Sequence, residues 1–191
     1  DTTASTWLTN LTFNAGNSFL NKADGAANIN GNITLNGGNL TAGTETGLTG
    51  VGANQIADTS LITLNSGTLN FAGRNETIGS LVMNGGVFRT DTDTTTGLTG
   101  NKVVILGNAT INAVGDNGGL IADNATVLSI GGNLTVGAQA RVLANSSGTV
   151  NVGGGVELNG STIRIASGSG ASNFGLGGTV TTLAHGQAAV F

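Results

Sequence analysis

Few side chains in this chain are suited to chemistry. Its 191 residues include one His, no Cys and no Tyr, and only 8% are Asp, Glu, Lys or Arg. His185 is the sole imidazole base. It stands in LAHGQAAVF, with no Gly-x-Ser-x-Gly element elsewhere, so a Ser-His-Asp triad is not expected. Asp91 and Asp93, near Arg89 and Lys102 and with Arg141 and Arg164 farther on, come closest to the carboxylate and cation cluster of an acidic-polysaccharide-cleaving enzyme. A solvated loop explains them more simply. Asp116-Asn117-Gly118-Gly119 and Asp91-Thr92-Asp93 are isolated fragments of a calcium-binding repeat that needs tandem copies. Without Cys or several His, zinc has no ligand set. Thr44-Glu45-Thr46, Thr90-Asp91-Thr92 and Thr92-Asp93-Thr94 could match an ice lattice, but they cluster in loops instead of recurring regularly. No catalytic residue, metal or cofactor is therefore expected.

The elements that would carry such residues follow from composition. Gly (34), Thr (28) and Asn (24) fill 86 positions, and all three disfavour helix. Apolar residues make up 38% but come in short groups, the strongest being Val103 to Leu106, far short of the roughly 18 residues of a membrane span. The class is all-β. A net charge of −4 with six dispersed Lys and Arg argues against nucleic acid or an anionic membrane as partner.

Six segments share one form, a short alternating strand, a Gly/Asn-rich turn and a second alternating strand: 33–42, 62–73, 81–90, 104–114, 128–138 and 150–158. Their turns begin near 36, 65, 84, 107, 131 and 153, so the steps are 29, 19, 23, 24 and 22 residues. TETGLTG at 44–50 returns as TTTGLTG at 94–100. Hairpins pairing with sequence neighbours and a parallel β-solenoid both fit this period. Three observations favour the solenoid: very short strands, Gly and Asn at equivalent corners, and the absence of Pro, which would break a ladder paired on both sides. Stacked windings also bring equivalent side chains about 4.8 Å apart, where Asn and Thr can bond along the stack and like charges repel. The expected fold is an all-β parallel β-solenoid of about eight coils, a single domain over 1–191, whole or part of a longer array. Its first inward set is Ile33, Leu35, Ile62, Leu64, Leu81, Met83, Ile105, Leu128, Ile130, Val150 and Val152. The second is Leu40, Leu69, Phe71, Val87, Ile111, Leu134, Val136, Val156 and Leu158. A loop around Gly47 to Ala57 absorbs the long first step.

The stretch ITLNSGTLNFAGRNETIGSLVMNGG (62–86) resembles the autotransporter-associated β-strand repeat of Gram-negative bacteria. The matching residues are Leu64, Asn65, Gly67, Thr68, Leu69, Thr77, Ile78, Gly79, Ser80, Leu81, Asn84, Gly85 and Gly86; over 28–42 and 101–165 the match is loose. The resemblance implies a passenger-type solenoid exported to the cell surface, its signal peptide outside this sequence, and no translocator barrel is expected in the chain. Neither end carries a recognisable cap, so Trp7, Leu8, Leu11, Phe13, Val190 and Phe191 are candidates for self-association or for continuing into further coils. Glycan binding through projecting loops is the alternative, with Leu48, Thr49, Asp91, Asp93, Leu98 and Thr99 as contact candidates. The function expected is structural, a stiff extracellular rod, and not enzymatic.

Overall fold

The computed structural model describes residues 9–20, 27, 29–42, 54–90, 101–112, 118–166 and 173–183. Twenty strands run in chain order: β1 (Asn10–Phe13), β2 (Asn17–Leu20), β3 (Asn32–Leu35), β4 (Asn39–Ala42), β5 (Leu61–Leu64), β6 (Thr68–Asn70), β7 (Glu76–Ile78), β8 (Ser80–Met83), β9 (Val87–Arg89) and β10 (Lys102–Ile105). They continue as β11 (Ala109–Ile111), β12 (Gly119–Ala122), β13 (Val127–Ile130), β14 (Leu134–Val136), β15 (Arg141–Asn145), β16 (Thr149–Val152), β17 (Val156–Asn159), β18 (Thr162–Ala166), β19 (Asn173–Leu176) and β20 (Val180–Leu183). No helix occurs among the described residues.

The strands form three sheets. Sheet one has the order β1-β3-β5-β8-β11-β14-β17-β20, sheet two β18-β15-β12-β9-β6-β4-β2, and sheet three β19-β16-β13-β10-β7. Every strand pair is parallel, for example Ile33 with Ile62, Leu69 with Phe88 and Val103 with Leu128. Along sheet one the partners Leu11, Ile33, Ile62, Leu81, Ala109, Leu134, Val156 and Val180 are separated by 22, 29, 19, 28, 25, 22 and 24 residues. Consecutive strands thus enter different sheets, and each pairs with the strand about two dozen residues away. That arrangement is compatible with a β-solenoid and excludes hairpins between sequence neighbours.

Alternation supplies the core. Ile33, Leu35, Ile62, Leu64, Met83, Ile105, Leu128 and Val150 are fully buried, as are Leu40, Leu69, Phe71, Ile111, Leu134 and Val136. Burying each Leu or Ile contributes about 1.5–3 kcal/mol relative to exposure, so these columns drive the folding. Val87 is an exception to the expected pattern. It faces outward, half-buried, and Phe88 takes the inward place, its ring centroid 5.1 Å from that of Phe71. The turn is the same as at Gly38 and Gly67, with Gly86 at a positive φ of 77°, so Val87 pairs with outward Thr68 and Phe88 with inward Leu69.

The six look-alike turns occupy two different corners. The first three join sheet one to sheet two (β3 to β4, β5 to β6, β8 to β9), whereas the last three join sheet three to sheet one (β10 to β11, β13 to β14, β16 to β17). Ile105, Leu128 and Val150 therefore stack in sheet three, not above Ile33 and Leu81. The polar link of the repeat contains a third strand, as at β7. The loop assigned to 47–57 ends in structure too: Ile56 is buried and bridges Ile29 in parallel, while 47–53 lie outside the described residues.

Candidate functional site

Of the self-association candidates, Leu11 and Phe13 are described. Both lie on β1 in the inward columns of Ile33 and Leu35 but are only half-buried, because β1 is an outermost described strand of sheet one. Trp7, Leu8, Val190 and Phe191 lie outside the described residues, as do the loop candidates Leu48, Thr49, Asp91, Asp93, Leu98 and Thr99 and the lone His185. At the other end, Leu176 and Val180 hold the inward columns of Val152 and Val156 yet are each 42% exposed, against 2% for both partners.

Arg89 is already engaged. Its Nε and Nη2 donate to Oδ2 of Asp123 at 3.1 and 2.6 Å, and Asp123 is buried. Asn145 Nδ2 donates to the other carboxylate oxygen at 2.8 Å. The backbone N–H of Asp123 donates to Thr90 Oγ1 at 3.0 Å, and Thr90 and Thr126 share a short hydroxyl contact inside the same cluster. A buried charge needs such partners, so this network ties three neighbouring strands together. Arg141 and Arg164 do not stack: Arg141 pairs with Thr162 and Arg164 with Leu143, while Arg141 Nε donates to Gly118 O at 2.7 Å. Exposed Lys102 belongs to β10 of sheet three.

Besides Asp123, a second buried titratable group escaped sequence reading. Glu76, on the edge strand β7, is buried; its carboxylate accepts the backbone N–H of Gln55 at 2.7 Å and of Ile56 at 3.2 Å. Burial pushes its pKa up to about 7, against the pull of backbone donors at Gln55, Ile56 and Thr77 and with a smaller upward push from Asp58. In the sequence Glu76 looks like any polar residue of a link.

Polar ladders line the corners. Asn36, Asn65, Asn84 and Asn112 each donate Nδ2 to Oδ1 of the Asn one rung before, starting at Asn14, with distances of 2.9, 2.8, 2.8 and 2.6 Å. At the entry to sheet one, Asn10, Asn32, Asn108 and Asn133 instead accept the backbone N–H of Asn32, Leu61, Asn133 and Gly155, each at 2.9 Å. Hydroxyl residues form a column along sheet one: Thr12, Thr34, Thr63, Thr110 and Thr135 share one register, interrupted by Val82 and again by Glu157, after which Thr181 holds the same position. Of the Thr-x-Thr candidates only Thr90 is described, and it is buried; the others lie outside the described residues. A single interrupted column is not the two-dimensional array that lattice matching needs.

Among the described residues no group of three or more His, Asp or Glu is placed to hold a metal ion. Among the described residues the arrangement offers parallel backbone pairing, amide ladders and partly open core ends. Comparison of the chain with family models, curated proteins and solved structures finds no match in any of the three.

Proposed function

We propose that the chain winds as a parallel β-solenoid of about eight coils and serves as a non-enzymatic structural rod of the bacterial surface. Copies join end to end, or the array continues into further coils, through the terminal windings. The observation that carries this reading is the contrast along the core columns: Leu176 and Val180 are 42% exposed where Val152 and Val156 one winding earlier are 2% exposed. A terminal winding also leaves one side of each strand with unpaired N–H and C=O groups, the template on which another strand adds. Eight windings at about 4.8 Å give a rod on the order of 40 Å. Export to the cell surface is supported by the resemblance of the repeat at 62–86.

Electron microscopy and sedimentation of the purified protein test the proposal. Fibres are expected, and Leu176→Lys with Val180→Lys is expected to abolish them, since each places a charge in the joint. Monodisperse monomers at high concentration refute end-to-end assembly. Fibres that persist in the double variant refute the assigned surface.

A further inference from the structure

The strands of sheet two include Arg89, Arg141 and Arg164 and not one carboxylate, in a chain with ten Asp and Glu against six Lys and Arg. Arg89 and Arg141 alternate with buried neighbours and lie on its outer face. Part of this face is concave. A groove of about 330 Å3 crosses β2, β4, β6 and β9, its floor made by Asn39, Thr41, Thr68 and Asn70. Phe19, Thr41, Asn70 and Arg89 share one register row, with Phe19 and Arg89 at its ends. Three strand spacings separate those ends, about 14 Å. Phe19 is 42% exposed, the only aromatic ring among the exposed large apolar residues described. Arg89 presents a guanidinium that buried Asp123 holds by Nε and Nη2, which fixes its plane while a third of the side chain stays exposed.

An aromatic face, a run of hydroxyls and amides, and an oriented guanidinium are the groups that an acidic sugar chain engages. Its ring C–H faces stack on the aromatic ring, its hydroxyls exchange hydrogen bonds with Thr and Asn, and its carboxylate takes charge-assisted bonds from Arg. We propose that this groove binds an extended acidic oligosaccharide running along the stacking direction of sheet two, with a uronate at Arg89 and a sugar ring over Phe19. A nucleic acid fits less well, because its affinity needs several phosphate contacts and the groove holds one guanidinium that Asp123 already offsets. The site is on the side of the molecule, so it stands or falls independently of end-to-end assembly.

Isothermal titration of the purified chain with a short oligogalacturonate, a neutral cello-oligosaccharide and a single-stranded oligonucleotide tests the assignment. Saturable binding of the oligogalacturonate alone is expected. Phe19→Ala should weaken it about fivefold, and Arg89→Lys, which keeps the charge but loses the fork, by a similar factor. Lys102→Ala, on another sheet, should leave it unchanged. Circular dichroism must show all three variants folded; Phe19 is exposed, so its variant keeps the test decisive if Arg89→Lys does not fold. Absence of binding overturns the proposal, as does unchanged affinity in Phe19→Ala. Equal binding of the neutral sugar overturns the role of Arg89, and preference for the oligonucleotide replaces the sugar by a phosphate chain.

Discussion

Glu76 makes stability depend on pH in an unusual direction. Its carboxyl titrates near 7 in the folded chain against 4.5 when unfolded, because burial penalises the ionised form more than the backbone N–H groups of Gln55 and Ile56 favour it. Between those values the folded chain holds a proton that the unfolded chain has released. Stability from this group is therefore complete below pH 4.5, falls as pH rises through about 7 and is flat above. A difference of about 2.5 units at about 1.4 kcal/mol each amounts to about 3 kcal/mol lost between pH 4 and pH 8. Denaturant midpoints followed by far-ultraviolet circular dichroism across that range should fall accordingly. Glu76→Gln should remove the slope, while the amide's own N–H groups meet backbone donors and lower stability at acid pH by about 1–3 kcal/mol. Imidazole side chains in general titrate near 6.5, in the same window, so the comparison belongs in a His185→Asn background. Carbon-13 titration of the Glu76 carboxyl gives the direct check. A midpoint near 4.5, or stability that rises with pH in the His185→Asn chain, refutes the reasoning.

Two further substitutions test the packing and the corners. Leu69→Ala empties a fully buried place in the column between Leu40 and Phe88 and should cost about 2–5 kcal/mol, read as a shift in the denaturation midpoint. Gly67 has φ of 83°, and a Cβ there would come within 2.9 Å of Gly37 C and 3.0 Å of Gly38 N. Gly67→Ala should therefore destabilise by about 2 kcal/mol or more, with amide exchange at Thr68 and Val87 accelerated; a neutral result contradicts the assigned corner.

Much of this architecture is legible in the residues. The Asn ladder was accessible because stacked corners demand side chains that donate and accept at once, and Asn14, Asn36, Asn65 and Asn84 stand where the alternation breaks. The inward columns were accessible because a period of two survives even in strands of three or four residues. The corner phase was not. LGN at 106–108 and GGN at 131–133 look like NGG at 84–86, since both corners need a short reversal of low steric demand. What distinguishes them is the partner of the Asn: another side-chain amide after sheet one, a backbone N–H before it. That partner lies 19 to 29 residues away. Most of the candidate site residues lie outside the described residues, and Arg89 serves Asp123, 34 positions on.

By itself the sequence determined the class, the repeat length and which face of most strands turns inward, because these depend on local steric preference and on alternation that any short window contains. The tertiary structure alone decided which corner each turn occupies and that Glu76 is buried against the backbone of Gln55 and Ile56. Each of those outcomes depends on what stacks above and below a residue. The windings differ in length by up to ten residues, so local periodicity leaves the vertical neighbour undetermined.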